Sequence, residues 1–185
     1  MSEIIFHGSR SDEDMIVYVR YHGEPWIKEH CYFVKYGDDI PSVIPEYENV
    51  SYLGIIYSSL TKLPKLPSKL QWLYCPINKL VSLPKLPDTL LRIDCSNNQL
   101  TELPKKLPPN LEYLYCPNNQ ITSIPKLPDS VKTICFERNN VSNFPNVPQN
   151  ISMITCHHNK IKYFPVFFPN TLTYLYTDYY EYSKY

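Results

Sequence analysis

Glycine is nearly missing from this 185-residue chain: only Gly8, Gly23, Gly37 and Gly54 occur, scattered, and none falls in a GxGxxG or GxxxxGK spacing. A phosphate cradle, which needs clustered glycines opening onto a helix, is thereby excluded. Net charge is missing too. Lysine plus arginine equals aspartate plus glutamate at 18 each, so no overall field draws the chain to DNA, RNA or an anionic membrane, and neither is an expected partner. No apolar run approaches the ~18 residues of a membrane span. The opening MSEIIFHGSRSDEDM has no basic stretch followed by an apolar one. A soluble, unsecreted, cytoplasmic protein is therefore expected, with its six cysteines reduced rather than paired. CxxC and HxxxH spacings are absent, and no nucleophile is discernible with a base beside it. No metal, cofactor or catalytic activity is expected.

What is abundant is proline (18) and tyrosine (17), a mix that suits a rigid, extended backbone and neither a flexible linker nor collagen. The proline is not scattered. LQWLYCPINKLVSLPKLP from Leu70 recurs as LLRIDCSNNQLTELPKKLP from Leu90 and LEYLYCPNNQITSIPKLP from Leu111. VKTICFERNNVSNFPNVP from Val131, ISMITCHHNKIKYFPVFFP from Ile151 and VSYLGIIYSSLTKLPKLP from Val50 are further copies, and LTYLYTDYY from Leu172 is a truncated one. Starts at 50, 70, 90, 111, 131, 151 and 172 lie 20 or 21 residues apart. Self-similarity at such a period marks a solenoid of stacked units. The organisation expected is an N-terminal cap over 1–49, six units over 50–171, and a partial unit with a Tyr-rich tail over 172–185.

Each unit fits L-x-x-L-x-L/C-x-x-N-x-L-x-x-L-P. The first part predicts a short strand with alternate side chains inward, and successive copies predict a parallel sheet on a concave face. Asn78, Asn98, Asn119, Asn139 and Asn159 share one column, where an inward amide can bond the backbone of successive turns. Ser58 and Tyr180 stand there in the terminal units, so less regular turns are expected at both ends. The L-P-x-L-P return removes donors and fixes φ, which predicts an extended, polyproline II-like convex side with little helix. In the cap, CYFVKYGDDIPSVIP from Cys31 reads as a degenerate unit, and the stretch around HGEP admits a hairpin or a short helix through Pro25 to His30. The tail admits a cap on the last strand or a flexible end.

Cys75, Cys95, Cys116 and Cys156 share a column with Ile55 and Phe136, which reads as buried apolar filler rather than chemistry. Neighbouring strands set such thiols ~4.8 Å apart with parallel Cβ vectors, a poor geometry for disulfides. Cys135 falls on the concave side and is the thiol expected to be exposed. Cys31 is given no role. His157 and His158 follow Cys156 but point in different directions, and read as an exposed pair on an interaction face.

The concave columns hold Tyr52, Trp72, Arg92, Tyr113, Thr133, Met153 and Tyr174, then Gly54, Tyr74, Asp94, Tyr115, Cys135, Thr155 and Tyr176. Tyr57, Ile77, Asn97, Asn118, Arg138 and His158 come just beyond. Aromatics with polar tips and arginine dominate protein interfaces. The candidate partner-binding set is therefore Tyr52, Tyr57, Trp72, Tyr74, Arg92, Asp94, Tyr113, Tyr115, Arg138, His158, Tyr174 and Tyr176. A protein partner is expected, bound by a monomer or weak homo-oligomer. Two alternatives stay open: a self-assembling structural role, because stacked units leave strand edges at their ends, and a recognition subunit for an enzyme on another chain.

Leu63-Pro64, Leu83-Pro84, Leu103-Pro104, Ile124-Pro125, Phe144-Pro145 and Phe164-Pro165 make the chain resemble the LPX subclass of leucine-rich repeats, known from type III effectors of bacterial pathogens and from large DNA viruses. The resemblance implies a leucine-rich-repeat solenoid that selects a host protein in the host cytoplasm. Some relatives carry a ubiquitin ligase domain after the repeats; this sequence ends at Tyr185, so ligase activity is not expected of it.

Overall fold

A computed structural model describes residues 51–56 and 58–178, and the backbone at 32–33 and 181–183. The alternatives for the cap, the readings of Cys31 and Tyr180, and candidate residue Tyr57 lie outside the described residues. Nine short strands form one sheet in chain order: β1 (Tyr32–Phe33), β2 (Tyr52–Gly54), β3 (Trp72–Tyr74), β4 (Arg92–Asp94), β5 (Tyr113–Tyr115), β6 (Thr133–Cys135), β7 (Met153–Thr155), β8 (Tyr174–Tyr176) and β9 (Glu181–Ser183). β1 to β8 pair in parallel, with Leu53, Leu73, Ile93, Leu114, Ile134, Ile154 and Leu175 in one register. β9 pairs antiparallel with β8. There is no helix among the described residues, as the leucine-proline returns require.

Strands of three residues follow from the repeat. The middle residue points into the core, its two neighbours point to the concave face, and the chain turns before a second inward pair can form. Leu53, Leu73, Ile93, Leu114, Ile134, Ile154 and Leu175 are all buried. Behind them lies the cysteine column, Cys75, Cys95, Cys116 and Cys156 with Ile55 and Phe136, also buried. The thiols are free, and burial pushes them up from their ordinary pKa, that of Cys156 to about 12. Such thiols are filler, not nucleophiles.

The asparagine column closes each turn. The Asn119 Nδ2 donates to the carbonyls of Cys95 at 3.0 Å, Cys116 at 3.2 Å and Pro117 at 3.2 Å, while its Oδ1 accepts from the Leu100 N–H at 3.0 Å. Asn78, Asn98, Asn139 and Asn159 bond in the same way. The residue before each asparagine takes a left-handed φ of 53° to 56°: Ile77, Asn97, Asn118, Arg138 and His158. Among the described residues of the first unit, Ser59 is left-handed (φ 51°), one place after Ser58. Ser58 donates its hydroxyl to the Ile56 carbonyl, so the turn there is of another kind.

On the outer wall each unit turns back on a proline carbonyl accepting three residues on, as Pro67 does from Leu70 and Pro87 from Leu90. The hydroxyls of Thr89, Ser130 and Thr171 bridge this wall to the preceding unit by donating to the carbonyls of Ser68, Pro109 and Gln149, and close their own units by donating to those of Leu70, Leu111 and Ile151.

Candidate interaction surface

Because the first and third residues of every strand face one way, equivalent side chains from successive units stand ~4.8 Å apart in rows. The first row brings Tyr52, Trp72, Arg92 and Tyr113 into continuous contact. The Tyr52 and Trp72 rings are 5.8 Å apart, and the Arg92 guanidinium lies 4.6 Å from the Trp72 ring and 4.2 Å from the Tyr113 ring. A cation seated between two π faces gains about 0.5–2 kcal/mol from each. Arg92 is nevertheless exposed, while Tyr52, Trp72 and Tyr113 are half-buried.

Tyr74, Asp94 and Tyr115 form the second row, all half-buried. The Asp94 carboxylate accepts from the Ser96 N–H at 3.0 Å and from the Ser96 hydroxyl. Partial burial raises its pKa despite those two bonds, which act the other way. Tyr115 is likewise raised, first by burial and next by its neighbour Cys135.

Beyond Tyr113 the rows change character. Thr133 and Cys135 are only 6% and 7% exposed, so the expectation of an accessible Cys135 thiol does not hold. Its register partners are Tyr115 and Thr155, and burial lifts its pKa to about 11 against a hydrogen bond from Thr155. The face then reopens at the C-terminal units with the half-buried Tyr174 and the exposed Tyr176 and His158. His157 stacks on Tyr176 with ring centroids 4.3 Å apart and meets the His158 ring edge-on at 5.0 Å. Asp178 accepts from the His158 backbone N–H at 2.6 Å and lies 3.3 Å from its Nδ1. That carboxylate takes the place of the next-turn carbonyl that serves Asn118 and Arg138.

The candidate set therefore divides in two. Tyr52, Trp72, Tyr74, Arg92, Asp94, Tyr113 and Tyr115 share four adjacent strands; His158, in the turn after β7, lies two strand spacings further on, about 10 Å, and Tyr174 and Tyr176 on β8 lie three, about 14 Å. Arg138 is exposed at the rim between them. Of the pair expected to be exposed, His158 is exposed and His157 is half-buried; His157 belongs to a row that follows the buried cysteine position, whose other polar members, Ser96, Glu137 and Asp178, were not expected at the site. Glu137 accepts from the Thr155 hydroxyl at 2.5 Å. The signal was the repeat register itself, extended one place past the point where strand alternation ends. No group of three metal-ligating side chains gathers among the described residues, and no helix there is long and apolar enough to cross a membrane.

No family model matches the sequence, and no curated protein matches it. Solved structures do. A Shigella effector leucine-rich-repeat domain is 33% identical with a TM-score of 0.66, over 70% of this chain and 59% of that one. YopM from Yersinia enterocolitica WA-314 is 29% identical with a TM-score of 0.58, over 74% of this chain and 34% of that one. YopM from Yersinia pestis, a leucine-rich effector protein, is 22% identical with a TM-score of 0.53, over 71% and 48%; this last likeness speaks to the fold alone. The chain thus spans between about a third and three-fifths of the lengths of the proteins it matches. With β1 to β8 parallel in a 20- or 21-residue register, an asparagine ladder and leucine-proline returns, the chain is a leucine-rich-repeat protein, similar in its repeats to those of bacterial effectors.

Proposed function

We propose that the chain is a non-catalytic recognition module that binds one protein partner through the concave Trp72–Arg92–Tyr113 row and its neighbours Tyr52, Tyr74, Asp94 and Tyr115. The observation that carries this reading is the exposed Arg92 guanidinium in contact with two rings, 4.6 Å from that of Trp72 and 4.2 Å from that of Tyr113. A long side chain fixed before binding loses little further freedom when a partner arrives. Its planar edge presents paired N–H donors suited to a carboxylate, so an acidic residue on the partner is the expected counterpart. Ile77 adds weight, being a β-branched side chain kept in the left-handed region at the rim of the same face; such strain tends to persist where a surface is used.

Tyr57, Arg138, His158, Tyr174 and Tyr176 extend the proposed contact as its outer part. The likeness to bacterial effector repeats supports a host protein as the partner and host cytoplasm as the place. Recognition on behalf of an enzyme carried by another chain is compatible with the same face. Self-assembly through strand edges is the second reading, because β1 and β9 stand at the two ends of an open sheet.

Affinity capture from host lysate tests the reading, with the intact chain beside the Trp72→Ala, Tyr74→Ala, Tyr113→Ala, Tyr115→Ala variant and folding checked by circular dichroism. The expected result is a partner held by the intact chain and weakened roughly thirtyfold or more in the variant, as removal of central aromatic anchors does. A folded variant that keeps every captured partner at full strength would rule out the concave face.

A further inference from the structure

Outside the concave face, the largest uncovered apolar side chains sit together on the outer wall of the sixth unit. Tyr163, Val166 and Phe167 are 84%, 87% and 86% exposed, so nothing described in the chain covers them. Phe164 and Phe168 anchor their loop by packing on Phe144, at 5.2 Å and 5.7 Å between ring centroids. The three outer side chains are thus carried on a fixed base.

The repeat register relates this tip to a line of charge. The place after each leucine-proline pair is Lys65, Lys85, Lys105, Lys126, Asn146 and then Val166. The units starting at 90 and 151 are the two with 21 residues, and the extra residue falls at one site in both: Lys106 in one, Phe167 in the other. All five of these lysines are exposed. The outer wall over 61–171 carries eight lysines against Asp88, Glu102 and Asp129, whereas ten of the 18 acidic residues lie in 1–49. Zero net charge therefore hides a basic wall. From Lys126 to Val166 is two unit spacings, about 10 Å.

We propose that this outer wall docks on an anionic lipid bilayer, with Tyr163, Val166 and Phe167 entering the interface and the lysine line lying along the headgroups. Charge complementarity selects the occupant. Lysines near an anionic bilayer each contribute about 1 kcal/mol, and their apolar stems lie along the interface with the ammonium groups outward. Protruding aromatic and aliphatic side chains beside a basic surface suit a soft interface better than a preformed groove. Concave recognition remains compatible with this, because the two faces are opposite.

Co-sedimentation of the full chain with phosphatidylcholine vesicles, with and without phosphatidylserine, tests the proposal at low and high salt. Binding is expected only with phosphatidylserine and is expected to weaken as salt rises. Two variants are compared: Tyr163→Ser, Val166→Ser, Phe167→Ser, and Lys85→Gln, Lys105→Gln, Lys106→Gln, Lys126→Gln. Each is expected to lose roughly tenfold or more in affinity while keeping its circular dichroism spectrum, since every altered side chain is exposed. The four-aromatic concave variant is expected to bind vesicles as the intact chain does. Absence of binding to phosphatidylserine vesicles at low salt overturns the proposal, as does binding that the Tyr163, Val166, Phe167 variant leaves unchanged. A second copy as the occupant would appear in sedimentation velocity as a dimer that this variant dissolves, with no vesicle binding.

Discussion

At φ 56°, Ile77 holds a β-branched side chain where Cβ crowds the following carbonyl, at a cost of about 1–2 kcal/mol. Asn97 and Asn118 adopt the same φ in the next two units with a side chain that tolerates it. Ile77→Asn is accordingly expected to stabilise the fold by about 1 kcal/mol, read as a higher urea midpoint with an unchanged slope. The buried thiols give a second residue-scale expectation. An unfolded cysteine ionises near its ordinary value, about 8.5, but burial holds Cys135 at about 11 and Cys156 at about 12. The native state therefore keeps protons that the unfolded state releases, so this contribution to stability is complete below about pH 8.5 and declines as pH rises. At pH 8, iodoacetamide is expected to leave Cys75, Cys95, Cys116, Cys135 and Cys156 unmodified in the folded chain and to label all five in denaturant, as read by mass spectrometry. Labelling of native Cys135 would contradict its burial.

Within one unit, packing and hydrogen bonding are balanced by substitutions the sequence already carries. Where other units place cysteine, the fifth places Phe136, fully buried, and the same unit has Val131 and Val141 where most units have leucine or isoleucine. The smaller residues offset the ring's volume, as a close-packed interior requires. Asn119 is the element-scale test of the ladder. Asn119→Ala removes donors from three carbonyls and the acceptor of the Leu100 N–H, three of the four bonds buried, at an expected cost of about 3 kcal/mol. Asn143→Ala, on the exposed outer wall, is expected to change stability by less than about 0.5 kcal/mol; urea denaturation compares the two. A similar loss in both would mean the ladder contributes nothing special.

These elements also show what sequence alone conveys. Repetition at 20 or 21 residues makes the strand rows, the asparagine ladder and the cysteine column legible, because each is one position copied many times. What repetition cannot convey depends on the neighbour in the next unit. Cys135 occupies a concave position between its register partners Tyr115 and Thr155, yet it is buried. The Trp72–Arg92–Tyr113 stack is visible as three residues in a row, but that the guanidinium lies between the rings is a matter of side-chain geometry. Ser96, Glu137 and Asp178 escaped because period-two alternation fails once the backbone turns. Similarly, the hydroxyl bridges from Thr89, Ser130 and Thr171 recur only in every second unit, which a search for constant columns passes over.

At the scale of the whole molecule, the sheet has direction. Parallel strands add one after another with the same register, and only β9 reverses it. Charge is divided along the chain, with ten of the 18 acidic residues in 1–49, which is why a count over the full sequence returned zero while the outer wall of the repeats is basic. The asparagine ladder has direction as well. Each amide donates to its own turn and to the one before, and accepts from the preceding unit: Asn98 reaches the Cys75 carbonyl and accepts from the Leu80 N–H, and Asn119 does the same for Cys95 and Leu100. A unit thus holds few of the groups that satisfy its own backbone. During synthesis, which delivers the N-terminal units first, every repeat leaves the ribosome unfinished and is completed only when the asparagine of its successor emerges.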